Sequence, residues 1–268
     1  MSTTLTFLGI AGYDIAGPER RILIDPCLTD NPTAPCGPDD LATPDVILVS
    51  HAAFDHLGDT AAIARRTGAP VVCGADVRAL LLDQGLPSHQ VRATVWGIVV
   101  EVGGVVVRPV ECHHWSQARL ADGSYVSGVP LGFIVETEPG VRIYHYGDTA
   151  IFGDLRLIGE LYAPTVGLLG CHSRAPWQTP RRALVACSRG RCRRVRPRWP
   201  PRCWVCDWPW PATTWRQTTP MWRSSCAWSP TMTQRARVAL ALQPGQALVV
   251  DQSSHQVIPP PEVRGKLP

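Results

Sequence analysis

The sequence predicts a mixed α/β (α+β) domain whose sheets carry helices on their outer faces. Three observations predict it. Short runs of Val, Ile and Leu recur at strand length along residues 1–170. The first of them come in pairs around turn residues, and from Val46 onward they alternate with segments of helical period.

The elements follow in order. Leu5–Leu8 and Arg21–Asp25 read as paired strands joined by a turn around Gly17-Pro18. Val46-Ile47-Leu48-Val49, an unbroken apolar run, reads as a buried strand. Thr60–Thr67 is a short helix, Pro70–Cys73 a strand, and Ala75–Asp83 a helix stopped by Gly85. Strands follow at Gly97–Val102, Gly104–Val110, Leu131–Glu136 and Val141–Tyr146, with Glu138-Pro139-Gly140 turning the last two into a hairpin. Ile151–Leu161 is helical. Order resumes at Val238–Leu242, a turn at Gln243-Pro244-Gly245 and a strand at Gln246–Asp251, before a tail expected to fray from Ser253. Residues 1–252 thus read as one domain and 253–268 as a tail.

Composition bounds the rest. The 268 residues suffice for one large core. Met1-Ser2-Thr3-Thr4 leads straight into a strand with no leader pattern, and no uncharged apolar run approaches membrane-spanning length. A cytoplasmic protein with reduced thiols is the expectation. The net charge of +4 averages two unlike parts. Cys171–Arg235 holds thirteen arginines against the single acid Asp207, so it carries +12 and the remainder −8. Eight of the ten tryptophans and six of the ten cysteines fall there as well, a composition foreign to an ordinary domain.

The chemistry concentrates at strand ends. Ser50-His51-Ala52-Ala53-Phe54-Asp55-His56-Leu57-Gly58-Asp59 leaves the buried Val46–Val49 run with two imidazoles and a carboxylate within six residues. Neutral imidazole and carboxylate hold Zn²⁺, Mn²⁺ or Fe²⁺, and a strand-to-loop junction fixes them while leaving the metal open to substrate. Three further strand ends carry candidates: Asp25, His113-His114, and Gly147-Asp148-Thr149. A lone strand-end histidine is usually structural; four such places in one domain point to a metal centre.

These residues resemble the metallo-β-lactamase superfamily, and within it the branch that holds ascorbate-phosphate lactonases and N-acyl-phosphatidylethanolamine phospholipase D. The resemblance rests on Ile22-Leu23-Ile24-Asp25-Pro26, His51…Asp55-His56-Leu57-Gly58-Asp59, His114-Trp115-Ser116, Tyr144-His145-Tyr146-Gly147-Asp148-Thr149 and Phe152-Gly153-Asp154…Leu161-Tyr162. It implies a four-layer αββα sandwich and metal-dependent hydrolysis of an ester, lactone or phosphodiester in a small-molecule substrate. Zn²⁺ is the implied cofactor, as one or two ions, with Mn²⁺ or Fe²⁺ as alternatives. By position, His51 and His114 would ligate one ion and Asp55 and His56 a second, with Asp148 bridging. A water activated by the metal would attack, oriented by Asp55 or giving its proton to it. Asp25 would anchor the ligand loops, His113 would stand behind His114, and His145 would be structural. Arg119, in the loop 116–130, is an anion-binding hint. No feature of the sequence speaks to the oligomeric state.

The departures from the pattern are specific. Ala53 stands where the motif has a histidine, Ile10 follows Leu8-Gly9 where the branch has one, and the family's last histidine near position 210 is absent. A metal-depleted pseudoenzyme or binding module is therefore the contrasting reading. In the segment itself, Trp199-Pro200-Pro201 and Trp208-Pro209-Trp210-Pro211 break any regular element. Arginine and tryptophan would suit a nucleic-acid arm, but a shifted reading frame explains the composition better. Read one base out of register, the codons of Pro211-Ala212-Thr213-Thr214 can spell Cys-His-Tyr-Leu, which restores the missing histidine at about Ala212–Thr213.

Overall fold

A computed structural model describes residues 2–171, 182–187, 238–250 and 255–258. Most of the arginine-tryptophan segment, and with it the expected frame change, lies outside the described residues. The chain opens with β1 (Thr3–Gly9), β2 (Gly12–Ala16) and β3 (Arg21–Ile24). Then come β4 (Val46–Val49), α1 (Phe54–Leu57), α2 (Thr60–Thr67), β5 (Val71–Cys73), α3 (Ala75–Asp83) and β6 (Val91–Ala93). The second half holds β7 (Val100–Val102), β8 (Val105–Glu111), β9 (Gln117–Arg119), β10 (Tyr125–Ser127), β11 (Leu131–Glu138), β12 (Val141–His145), α4 (Leu155–Tyr162) and β13 (Val166–Cys171). β14 (Arg182–Cys187), β15 (Val238–Leu242), β16 (Ala247–Val250) and β17 (His255–Ile258) complete it.

Two sheets face each other. The first runs β17-β16-β1-β2-β3-β4-β5-β6 and the second β15-β14-β13-β12-β11-β8-β7, while β9 and β10 form a separate hairpin. β3 to β6 are mutually parallel, their crossovers carrying α2 and α3. That explains the unbroken apolar run at β4: Val46 and Leu48 face the opposite sheet, while Ile47 and Val49 face the helices. The central core packs Phe7, Ile22, Ile24 and Leu48 against Val107, Phe133, Val135 and Ile143. Outside the first sheet, Ile47, Val49 and Val71 meet Ile63 of α2 and Val77 and Leu81 of α3. Outside the second, Ile134, Tyr144 and Leu169 meet Ile158 of α4. Each fully buried aliphatic side chain contributes roughly 1.5–3 kcal/mol. The order is helix, sheet, sheet, helix, which is the four-layer sandwich.

Several expectations are corrected. Leu5–Leu8 and Arg21–Asp25 are not direct partners, because β2 lies between them and Gly17-Pro18 turns β2 into β3. Gly12 and Asp14 hid β2 from an apolar pattern; the buried Asp14 is in a two-pronged ion pair with the Arg21 guanidinium. The tail expected to fray from Ser253 instead adds β17 antiparallel to β16. The segment expected to be irregular throughout 171–235 contains β14, which joins β13 to β15. α4 begins at Leu155, four residues after the expected Ile151, since Gly153 and Asp154 still belong to the turn.

Among the described residues, four that are not glycine hold a positive φ: Ile10 at 58°, Asp25 at 45°, Asp148 at 64° and Ala163 at 43°. A β-branched side chain is poorly tolerated there, and Ile10 sits at the tip of the β1–β2 hairpin. Ile10→Asn is expected to raise thermal stability by about 1 kcal/mol through relief of that strain. A denaturant titration checks it, and an unchanged or lowered midpoint refutes it.

Candidate metal centre

The site is built where both sheets present strand ends to the same edge. β4 ends at Val49 and the chain passes through Ser50 and His51 into a bend, then into the single turn α1. That turn, closed by the His56 and Leu57 amides donating to the Ala53 carbonyl, folds the chain back until the His51 and His56 rings lie 4.1 Å apart. Gly58 lets α1 exit: its φ of 41° suits glycine, and a Cβ there would lie 2.4 Å from the Pro26 carbonyl. Asp59 then accepts from the Leu28 and Thr29 amides at 2.7 and 3.0 Å, tying the motif to the loop after β3.

From the second sheet, β12 ends at His145, and two consecutive left-handed residues, Gly147 and Asp148, turn the Asp148 carboxylate toward the histidines. A Cβ on Gly147 would sit 2.2 Å from the Leu131 carbonyl, so only glycine fits. Leu131 in turn donates its amide to the Ser50 carbonyl at 2.8 Å, joining the two sheets beside the site.

The outcome is a group of three donors, His51, His56 and Asp148, whose ligating atoms all lie within 4.8 Å of one another. Behind them stands Asp25, completely buried. It accepts from the Ser50 amide at 2.7 Å, from the Ser50 hydroxyl at 2.6 Å and from His56 Nδ1 at 2.7 Å. Because the hydroxyl hydrogen goes to Asp25, Ser50 Oγ accepts from His51 Nδ1 at 2.9 Å. Both rings are thus anchored through Nδ1, and both Nε2 atoms turn into the site. The His51 Nε2 is buried without a hydrogen-bond partner among the described residues. The His56 Nε2 lies 3.3 Å from Asp148 Oδ2 without the alignment of a hydrogen bond. Two buried imidazole nitrogens and a carboxylate converging on one point, each ring backed by a polar partner, fit a metal ion of the zinc class.

Electrostatics agree. Burial pushes His51 down to about 4, reinforced by the neighbouring His56, so its ring is neutral at physiological pH. Burial also works against a charged His56, but Asp25 and Asp148 outweigh it and push the value up to about 10. Burial alone would raise Asp148, yet the nearby charged His56 above all holds it well below the ordinary carboxylate range. The Tyr146 hydroxyl donates to the other Asp148 oxygen, Oδ1.

The sequence-predicted residues fall into two sets. His51, His56 and Asp148 are brought together. Asp55 lies on the first turn of α1, outside the three-donor group. The exposed His114 also lies outside it, though its ring stands edge-on to His51 at 4.9 Å. His113 turns away, paired with Glu111 at 2.7 Å and stacked on Phe152 at 4.2 Å. His145 is fully buried, donating Nε2–H to the Ala11 carbonyl at 2.9 Å, next to Ile10. Ala53 caps α1 with its backbone. Arg119 lies over the Tyr125 ring at 5.9 Å in the β9–β10 hairpin. Sequence reasoning gave Ser50 no role; its place directly between the buried strand and His51 was the signal.

A two-sheet sandwich with imidazoles and a carboxylate converging at one edge defines a class of metal-binding domain, and comparison with known proteins identifies the family. Residues 20–176 match the β-lactamase superfamily domain, and the chain belongs to that superfamily. It is 43% identical over 169 residues to a metal-dependent hydrolase of Rubrobacter xylanophilus, covering 62% of this chain and 69% of that one. A metal-dependent hydrolase of Nitratidesulfovibrio vulgaris is 36% identical over 200 residues, 74% of this chain and 80% of that one. Among solved structures, Igni18, a metallo hydrolase of Ignicoccus hospitalis, superposes with a TM-score of 0.52 at 29% identity, over 63% of this chain and 70% of that one.

Two predictions follow from the geometry. A divalent metal held by His56 must displace its proton, so between pH 7 and 9 metal uptake should release about one proton per ion and affinity should rise about tenfold per pH unit. Calorimetry in buffers of different ionisation enthalpy reads this directly, and zero release contradicts a charged His56. Gly147→Ala should destabilise the fold by at least about 1–2 kcal/mol from its left-handed backbone alone. A variant as stable as the parent in urea would show that the turn is not strained.

Proposed function

We propose that the chain is a metal-dependent hydrolase that opens an ester, lactone or phosphodiester of a small molecule, with zinc held by His51, His56 and Asp148. The observation that carries this reading is the pair of buried, anchored imidazoles that meet the half-buried Asp148 carboxylate where the two sheets' strand ends come together. The names of the Rubrobacter, Nitratidesulfovibrio and Ignicoccus relatives support it. When bound, such an ion lowers the pKa of a water to near 7 and polarises a carbonyl or phosphoryl oxygen.

The chain's own residues do the remainder. Asp25 and Ser50 hold the two rings at fixed angles and keep their Nε2 atoms pointed inward. Asp55, one residue before His56 and outside the three-donor group, takes the role of proton acceptor. His114, exposed beside His51, stands at the open side where substrate enters. Phe54 and Trp115, sequence neighbours of Asp55 and His114, expose 77% and 70% of their surfaces, unusually much for large apolar side chains. They offer contacts to an apolar part of the substrate. Among the described residues, no helix is long and apolar enough to cross a membrane. Cys27, Cys36, Cys73 and Cys112 are free thiols, in keeping with a reducing cytoplasm.

Metal analysis separates the hydrolase from a metal-depleted pseudoenzyme or binding module. The purified chain should take up about one equivalent of zinc at neutral pH, and failure to retain any favours the second reading. Asp148→Asn should lose both metal and hydrolysis. Asp55→Asn should keep the metal and lose about 10²–10⁴-fold in kcat; an unchanged rate in a metal-loaded Asp55→Asn enzyme removes Asp55 from the chemistry.

A further inference from the structure

Outside the three-donor group and its Asp25 support lies a second completely buried carboxylate, Asp76, in the first turn of α3. One of its oxygens, Oδ2, accepts from the Ser116 hydroxyl. The other, Oδ1, is buried without a hydrogen-bond partner among the described residues. Two glycines make room for it: a Cβ on Gly128 would lie 2.2 Å from Oδ1, and one on Gly74 2.9 Å away. A carboxylate enclosed so closely, with half its acceptors unused, is expensive to bury for stability alone.

Ser116 shows what the arrangement does. Its hydroxyl hydrogen is committed to Asp76, which turns an Oγ lone pair toward the Ala52 amide, and Ala52 donates to it at 3.1 Å. The Ser116 carbonyl accepts from the Gly128 amide at 3.1 Å, which fixes its backbone as well. Ala52 follows His51, and Ser116 follows His114 by two residues. One hydroxyl therefore bridges the two loops that bring the His51 and His114 rings to 4.9 Å, one loop from each sheet. The α3 carboxylate sets the direction of that bridge.

We propose that Asp76 is a positioning residue for the metal centre: through Ser116 it locks the His51 loop against the His114 loop and so holds His51 at its ligating angle. This rests on the reading of His51, His56 and Asp148 as the metal-binding group. The residue is an outer support of the kind whose loss typically lowers metal affinity ten- to a hundredfold without touching the ion.

The test uses the full chain with Ser116→Ala, which removes the bridge, and Asp76→Asn, which keeps the size and removes the charge that orients the hydroxyl. Ser127→Ala, on the adjoining hairpin, is the control. Two quantities are measured: zinc affinity by competition with a chromophoric chelator, and hydrogen exchange of the Ala52 amide in the metal-free protein. Ser116→Ala and Asp76→Asn should each weaken zinc binding at least about tenfold and speed Ala52 exchange, while the β4 amides and the Ser127→Ala variant stay as in the parent. Unchanged zinc affinity in both variants overturns the proposal, even with faster exchange, because the bridge would then be structural only. If the parent itself binds no zinc, the metal-site reading and this role fall together; the exchange data still tell whether the Asp76–Ser116–Ala52 bridge exists. Should Asp76→Asn fail to fold, Ser116→Ala decides alone.

Discussion

The buried Asp25 carboxylate is the constraint on which the site depends. It follows β3 in a left-handed conformation and is cut off from water, so it must be satisfied from within. The Ser50 amide, the Ser50 hydroxyl and His56 Nδ1 satisfy it. Burial opposes its charge, yet His56 above all holds its value below the usual carboxylate range. Each of those bonds also decides something beyond Asp25. The amide bond fixes the exit of β4, the hydroxyl bond fixes which ring nitrogen of His51 is protonated, and the His56 bond fixes the ring itself. One acid therefore determines the orientation of both imidazoles in the donor group.

Strain is concentrated in the same place. Asp25 and Asp148, the two carboxylates of the centre, both sit at positive φ, and each lies just beyond the end of a strand. Regular geometry would carry these side chains on along the strand direction; the left-handed residue diverts them sideways to the sheet edge. Backbone in such regions persists only where its surroundings hold it. Here the holding comes from the Ser50–Asp25 bonds on one side and the packing of Gly147 against Leu131 on the other.

Much of this was legible in the sequence. The apolar run Val46–Val49, the turn at Gly140 and the helices Thr60–Thr67 and Ala75–Asp83 were readable because local pattern and tertiary role coincide there. The strand-end histidines and aspartates marked the edge where a metal would sit. What the sequence concealed was tertiary. β2 was masked by Gly12 and by Asp14, whose burial makes sense only beside Arg21. The pairing of His51 with His56 depended on the bend before α1, which spacing alone does not reveal. Asp76 looked like any acid in the first turn of a helix, where a negative charge is ordinarily favourable. β17 lay in a polar tail without a strand pattern, and it is its backbone pairing with β16 that makes it a strand.

The Leu131–Ser50 hydrogen bond joins the sheets directly beside the donors, and its position has a consequence for folding itself. His51 and His56 come from the first sheet and Asp148 from the second, so an ion held by all three is a staple across the interface between the two halves. Whatever binds only the assembled state shifts the folding equilibrium toward it in proportion to the logarithm of its free concentration. The fraction of chain in the folded state would then rise with the free concentration of that ion, because the two halves of the sandwich meet at the donors.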